Sequence, residues 1–158
     1  MLQIRTILAP TDFSPASDGA VRYAVDLAAR LGARVILLHA FGPPIIPVLE
    51  GAVIPTPAQV TDLIVRAGEQ LEEVRRQVTR GDVSIETKVV QGAAATAIVD
   101  AARDFDVDLV VVGTHGRTGW RHLALGSVAE RVVRTAAVPV LTIRGDEQSA
   151  APATLARY

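Results

Sequence analysis

The chain of 158 residues contains no cysteine. That absence excludes a disulfide scaffold, thiol catalysis and cysteine-based metal sites, and it suits a reducing compartment. An excess of charge is also missing. Seventeen acidic residues against sixteen basic ones leave a net charge of −1. No global field therefore attracts nucleic acid or an anionic membrane. Long apolar runs are lacking too: stretches such as Leu109 to Val112 are far too short to span a bilayer. The opening Met1-Leu2-Gln3-Ile4-Arg5 turns directly into strand pattern without signal-peptide anatomy, so the expected address is the cytoplasm. The Walker pattern G-x-x-x-x-G-K-[ST] is absent, which argues against a P-loop NTPase.

What is present is an ordinary globular composition, 49% hydrophobic and 21% charged, at the length of one domain. Ile4 to Ala9 reads as a short buried strand halted by Pro10. Ser14 offers an N-cap, Pro15 fits the first helical position, and Asp18 suits the first turn. Ala20, Val21, Ala24, Leu27, Ala28 and Leu31 recur at helical spacing up to Gly32. Val35 to Leu38 predicts the second strand. A second helix opens with the capping box Thr56-Pro57-Ala58-Gln59 and carries the stripe Val60, Ile64, Ala67, Leu71, Val74 and Val78. On its exposed side Glu72 and Arg76 stand as an i,i+4 pair.

Val83 to Val90 alternates like a strand near an edge, Ala94 to Phe105 like a third helix, and Asp108 to Val112 like a central parallel strand. A helix over about 127–135 and a strand Val138 to Ile143 close the series. Strands alternating with helices predict an α/β, doubly wound parallel sheet. Two segments fall outside this rhythm. Residues 41–56 form a long apolar connection that either covers a ligand or partner or packs on its own domain. Residues 145–158 read as a flexible tail beyond a domain of residues 1–144.

Ligands of open parallel sheets bind beyond the carboxyl ends of the strands, beside a switch in strand order. The fourth strand runs into Gly113-Thr114-His115-Gly116-Arg117-Thr118-Gly119, and Gly126-Ser127-Val128 opens the last helix. Glycines let backbone approach a phosphate and accept positive φ, and a helix N-terminus offers unpaired N–H groups. Ser127 adds a hydroxyl, while His115, Arg117, Arg121 and His122 stand at the mouth. The plainer reading makes these glycines turn formers and Ser127 an N-cap. After the first strand, Pro10-Thr11-Asp12 puts a carboxylate where vicinal ribose hydroxyls could reach it; the plainer reading is an Asx-turn. Backbone at Ala40, after His39, could meet a base edge.

Gly113-x2-Gly116-x9-Gly126-Ser127 resembles the ATP-binding signature of the universal stress protein family. Pro10-Thr11-Asp12, Leu38-His39-Ala40 and Ala137-Val138-Pro139-Val140-Leu141 match that family in the same order, and the resemblance spans about residues 3–144. It implies a Rossmann-like, five-stranded parallel sheet in the order 3-2-1-4-5. It further implies an adenine nucleotide (ATP, or AMP or ADP) with Asp12 on the ribose, backbone at Ala40 on adenine, and Gly113, Gly116, Gly126, Ser127 and the Val128 amide on the phosphates. Mg²⁺ or Mn²⁺ would accompany those phosphates, although no dedicated acidic cage is evident. A homodimer through Val138 to Ile143 is implied as well; Pro139 suits an edge strand, and an apolar edge tends to pair with another chain. The alternative is an edge covered by the tail.

Other classes lack their marks. Ala9-Pro10-Thr11-Asp12-Phe13-Ser14 contains no G-x-G-x-x-G for a dinucleotide. A receiver domain needs an acidic cluster and a lysine after the fifth strand, and neither is found. An ATP hydrolase or phosphotransferase would have to draw on Asp12, His39, His115 or His122. His39 reads better as a satisfied side chain at a strand end, and the three histidines lack metal-ligand spacing. The expectation is a nucleotide-binding signalling module rather than a fast enzyme. A pure interaction protein with a vestigial pocket is the third reading.

Overall fold

The computed structural model describes residues 3–42, 46–48, 51–53, 56–114 and 126–144. In chain order the elements are β1 (Thr6–Pro10), α1 (Pro15–Leu31), β2 (Arg34–Phe41), β3 (Ile46–Val48), β4 (Gly51–Val53), α2 (Pro57–Val78), β5 (Ile85–Gln91), α3 (Ala94–Asp104), β6 (Leu109–Gly113), α4 (Ser127–Thr135) and β7 (Val140–Ile143). Five of the strands pair in parallel in the order β5-β2-β1-β6-β7. Counting only these, the order is 3-2-1-4-5, as the resemblance implied. The long connection holds a feature the sequence pattern did not announce, an antiparallel β3–β4 hairpin forming its own two-stranded sheet.

Strand pleat sorts the core into two layers. Ile7, Ala9, Val35 and Leu37 pack under α1 and α2, against Val21, Ala24 and Leu71. Leu8, Ile36, Leu38 and Val110 face the opposite way, onto Ile98 of α3 and Val132 of α4. Asp108 pins the amino end of β6 to β1: its Oδ2 accepts from the amides of Arg5 and Thr6 at 2.8 and 2.9 Å.

Local signals hold where they are local. Ser14 caps α1, Pro15 starts it, and Gly32 ends it at φ 64. Thr56 and Gln59 form the reciprocal capping box of α2. Tertiary partners correct the rest. In α1 Val25 is buried while Leu31 is 46% exposed, because the sheet beneath is met by the face centred on Ala24 and Ala28. Ile64 is likewise exposed; α2 touches the core through Ala67, Leu71 and Val78. Glu72 pairs with Arg75 at 2.8 Å and Arg76 with Glu73 at 2.6 Å, so the expected Glu72–Arg76 pair does not form. Glu72 also accepts from Thr87 Oγ1 at 2.7 Å, tying α2 to β5 and holding its carboxyl below the ordinary range.

β1 is shifted to Thr6–Pro10, with Pro10 its last residue. β2 runs on to Phe41 because His39, Ala40 and Phe41 continue the ladder with Val89, Val90 and Gln91. β5 stands at one edge, as its alternation predicts, and β7 at the other, starting after Pro139. Among the described residues no helix is long and apolar enough to cross a membrane. Residues 145–158 lie outside the described residues.

Candidate functional site

The strand order reverses between β1 and β6: β2 and β5 lie on one side of β1, β6 and β7 on the other. Neighbouring strands feed helices on opposite faces there, so their loops diverge and leave a crevice. The crevice is a cavity of about 280 Å³.

One wall is the turn from β1 into α1. Thr11 donates its amide to the Leu38 carbonyl at 2.8 Å, and its Oγ1 lies 3.0 Å from Ser17 Oγ and accepts from the Phe13 amide at 3.0 Å. Asp12 Oδ1 accepts from the Ser14 amide at 3.1 Å. The Asx-turn reading of Asp12 is therefore correct, and the same residue also lines the cavity. These bonds hold Phe13 at φ 62, which costs a bulky L-residue about 1–3 kcal/mol. Burial pushes the Asp18 carboxyl above its ordinary value; Arg22 opposes the shift and Asp12 adds to it.

The opposite wall is the start of α4. Its N-cap is Gly126, at φ −66 and ψ 153, with no side-chain capping bond. Ser127 is the first helical residue, which corrects its reading as the N-cap. The Gly126 amide donates to the Thr114 carbonyl at 2.6 Å, and the Gly126 carbonyl accepts from Glu130 at 2.9 Å. The next three amides, of Ser127, Val128 and Ala129, have no acceptor within the helix. All three residues line the cavity. Their N–H groups and the positive end of the helix dipole suit an anion.

Gly113 joins the two walls for a different reason from the one its motif suggested. A Cβ there would lie 2.9 Å from the Ala16 carbonyl oxygen and 3.3 Å from its carbon. Glycine at this position lets the first turn of α1 pack onto the end of β6. Gly126 needs no positive φ either.

The cavity thus brings together Pro10, Thr11, Asp12, Ala40 and Gly113 with Gly126, Ser127 and Val128. His115, Gly116 and Arg117 lie outside the described residues, as do Arg121 and His122. Sequence reasoning missed Ser17, Thr114 and Ala129 and the apolar wall of Ala94, Ile98 and Val112. The start of α3 at the carboxyl edge was a usable signal for Ala94. Nothing separated Ile98 from an ordinary core residue. His39 Nδ1 lies 2.8 Å from the Thr11 carbonyl oxygen, the satisfied strand-end side chain expected of it. Among the described residues no group of three His, Asp or Glu could hold a metal ion.

The sequence model of the universal stress protein family matches residues 3–144. The chain belongs to that family. Universal stress protein MJ0531 of Methanocaldococcus jannaschii is 31% identical over 144 residues, covering 89% of this chain and 82% of the relative. The solved structure of MJ0577, from the same organism, superposes with a TM-score of 0.77 at 26% identity, covering 92% of this chain and 99% of that one. A universal stress protein crystallised in complex with cAMP superposes at 0.59 with 27% identity, covering 91% and 99%. The family also contains longer chains: this one spans 45% of a Mycolicibacterium smegmatis relative that it matches at 32% identity.

Proposed function

We propose that this universal stress protein binds an adenine nucleotide in the 280 Å³ cavity and acts as a signalling module that reports its occupancy. One observation carries the reading: the Asp12 turn and the uncapped start of α4 face one space, with apolar Ala94, Ile98 and Val112 beside them. A nucleotide has these parts in the same relation, with an anionic phosphate chain, a diol and a flat apolar base. The amides of Ser127, Val128 and Ala129 take the phosphates, with Gly126 leaving their approach open. Asp12 accepts from the ribose hydroxyls, and backbone at Ala40 meets adenine. His115, Gly116 and Arg117 complete the phosphate side, as the motif implies. Mg²⁺ or Mn²⁺ arriving with ATP would draw its ligands from phosphate oxygens and water. The complex of a related protein with cAMP supports the adenine assignment.

ATP is expected to bind with micromolar or tighter affinity, roughly −8 kcal/mol. Purified protein is denatured and its supernatant chromatographed, and thermal unfolding is followed with and without ATP. Neither co-purified nucleotide nor ATP-dependent stabilisation would remove the proposal. Hydrolysis is expected to be slow: His39 sits on the other face of the sheet, which leaves Asp12 as the acid/base candidate in the described part of the cavity. Sustained turnover above about 1 per second with Mg²⁺ would favour an enzyme instead.

The working unit in this proposal is a cytoplasmic homodimer joined through β7. That strand is an edge, its Val140, Leu141 and Ile143 are half-buried, and a two-fold antiparallel pairing closes the symmetry. Sedimentation should give a dimer, and Leu141→Lys a monomer.

A further inference from the structure

A second cavity, of about 540 Å³, lies on the α1/α2 face of the sheet between the end of β2 and α2. Phe13, His39, Phe41, Leu63 and Ala67 line it, and the exposed Arg66, Glu69, Gln70 and Glu73 form its α2 side. Pleat alternation explains the partition: Ala40 turns into the first cavity, His39 and Phe41 into this one.

Three features describe what would fit. The Phe13 ring, held by its left-handed backbone, lies 4.4 Å from the His39 ring at 30°, so the wall offers aromatic faces. His39 Nδ1 contacts a carbonyl oxygen, which only accepts, so Nδ1 carries the proton. Among the described residues Nε2 has no hydrogen-bond partner. Arg66 also has no ion pair or hydrogen bond among the described residues, whereas Arg75 and Arg76 on the same helix are paired. We infer that this cavity binds a small planar aromatic anion, its ring against Phe13, His39 and Phe41, its carboxylate or sulfonate on Arg66, and a polar ring substituent on His39 Nε2. The volume lies within the usual range for small-molecule sites, about 300–1,000 Å³. A guanidinium pairs well with a planar carboxylate. Glu73 on the same rim is paired with Arg76, and Glu69 beside it disfavours a second anionic group.

The two cavities share a wall. Thr11 and Asp12 line the first, Phe13 lines the second, and the Thr11 carbonyl holds His39. Resting here on the nucleotide reading above, an occupant of either cavity changes the affinity of the other by the same factor.

The test titrates 8-anilino-1-naphthalenesulfonate, a fluorescent aromatic anion, into the full chain, with salicylate as competitor. One saturable site displaced by salicylate is expected, weakened at least about tenfold by Arg66→Glu and less by Arg66→Lys, with thermal stability retained in both. Non-saturable uptake, or undiminished affinity in Arg66→Glu, overturns the site. So does dye displaced one-for-one by ATP, which would put it in the first cavity. Binding that appears only when residues 43–55 are replaced by a short Gly-Ser link assigns the cavity to that segment and also overturns it. ATP is expected to shift the dye affinity about fivefold or more. An unshifted affinity in protein that binds ATP overturns the coupling; dye binding in protein that binds no ATP overturns the nucleotide reading and leaves this site standing.

Discussion

Two helices begin at the same cavity, and they begin differently. α1 satisfies its own first turn: Ser14 Oγ accepts from the Ser17 amide, Ser17 Oγ donates to the Ser14 carbonyl, and Asp18 lies in the first turn. α4 starts at a glycine with no side-chain cap, and its first three amides, without an acceptor within the helix, belong to residues that line the cavity. A cap stabilises its helix by occupying the N–H groups that an anion would otherwise bind. One start therefore contributes to folding and the other is left for a ligand.

The sharpest way to break this contrast is to give α4 the cap it lacks. Gly126→Asp is compatible with the extended backbone there and should stabilise the helix by a few tenths of a kcal/mol at most. By occupying the amides and repelling phosphate, it should weaken ATP about 100-fold, roughly 2.7 kcal/mol. Calorimetric titration yielding parental affinity would show that the phosphates bind elsewhere. Gly113→Ala tests the packing that joins the two starts. Its Cβ meets the Ala16 backbone oxygen, so denaturant unfolding should show a loss of about 1–3 kcal/mol. No loss would mean that α1 moves freely on β6.

Removing the cap that α1 does have should do the converse of Gly126→Asp. Ser14→Ala is expected to cost about 1 kcal/mol of stability while changing ATP affinity little. A large affinity loss with intact stability would make the cap part of the binding site. The smallest effect is electrostatic. Burial and Asp12 hold the Asp18 pKa above its ordinary value, so its contribution favours the fold in acid and is lost as pH rises through that raised value. Stability curves of Asp18→Asn and parent protein should diverge in the variant's favour from acid to neutral pH. The opposite slope would show that the dipole of α1 outweighs burial at this carboxylate.

The legible parts of the site were residues whose chemistry advertises a turn or a charge, namely Asp12 after a strand and glycines before a helix. Ala94, Ile98 and Val112 were hidden because an apolar side chain looks the same whether it faces a core or a ligand. Gly113 was legible as a glycine, but its cause was not: the obstructing atom belongs to Ala16, far away in the chain. The fold divides in the same way. Ser14, Gly32, Thr56 and Gln59 act on neighbours a few residues away, and they appear as the sequence implies. Val25 buried in place of Leu31, the extension of β2 to Phe41 and the pairing of Glu72 with Arg75 and Thr87 depended on what packs alongside.

By itself the sequence determined the alternation of the main sheet's strands with helices, the caps of α1 and α2 and the family, since periodicity, caps and motif spacing are written within short stretches of chain. Only the tertiary structure decided that Asp12 and the start of α4 share one cavity, that His39 and Phe41 face away from it, and that Gly113 is needed beneath α1. The physical reason is that each of these is a distance between residues remote along the chain, and such distances exist only once both layers of the sheet have packed.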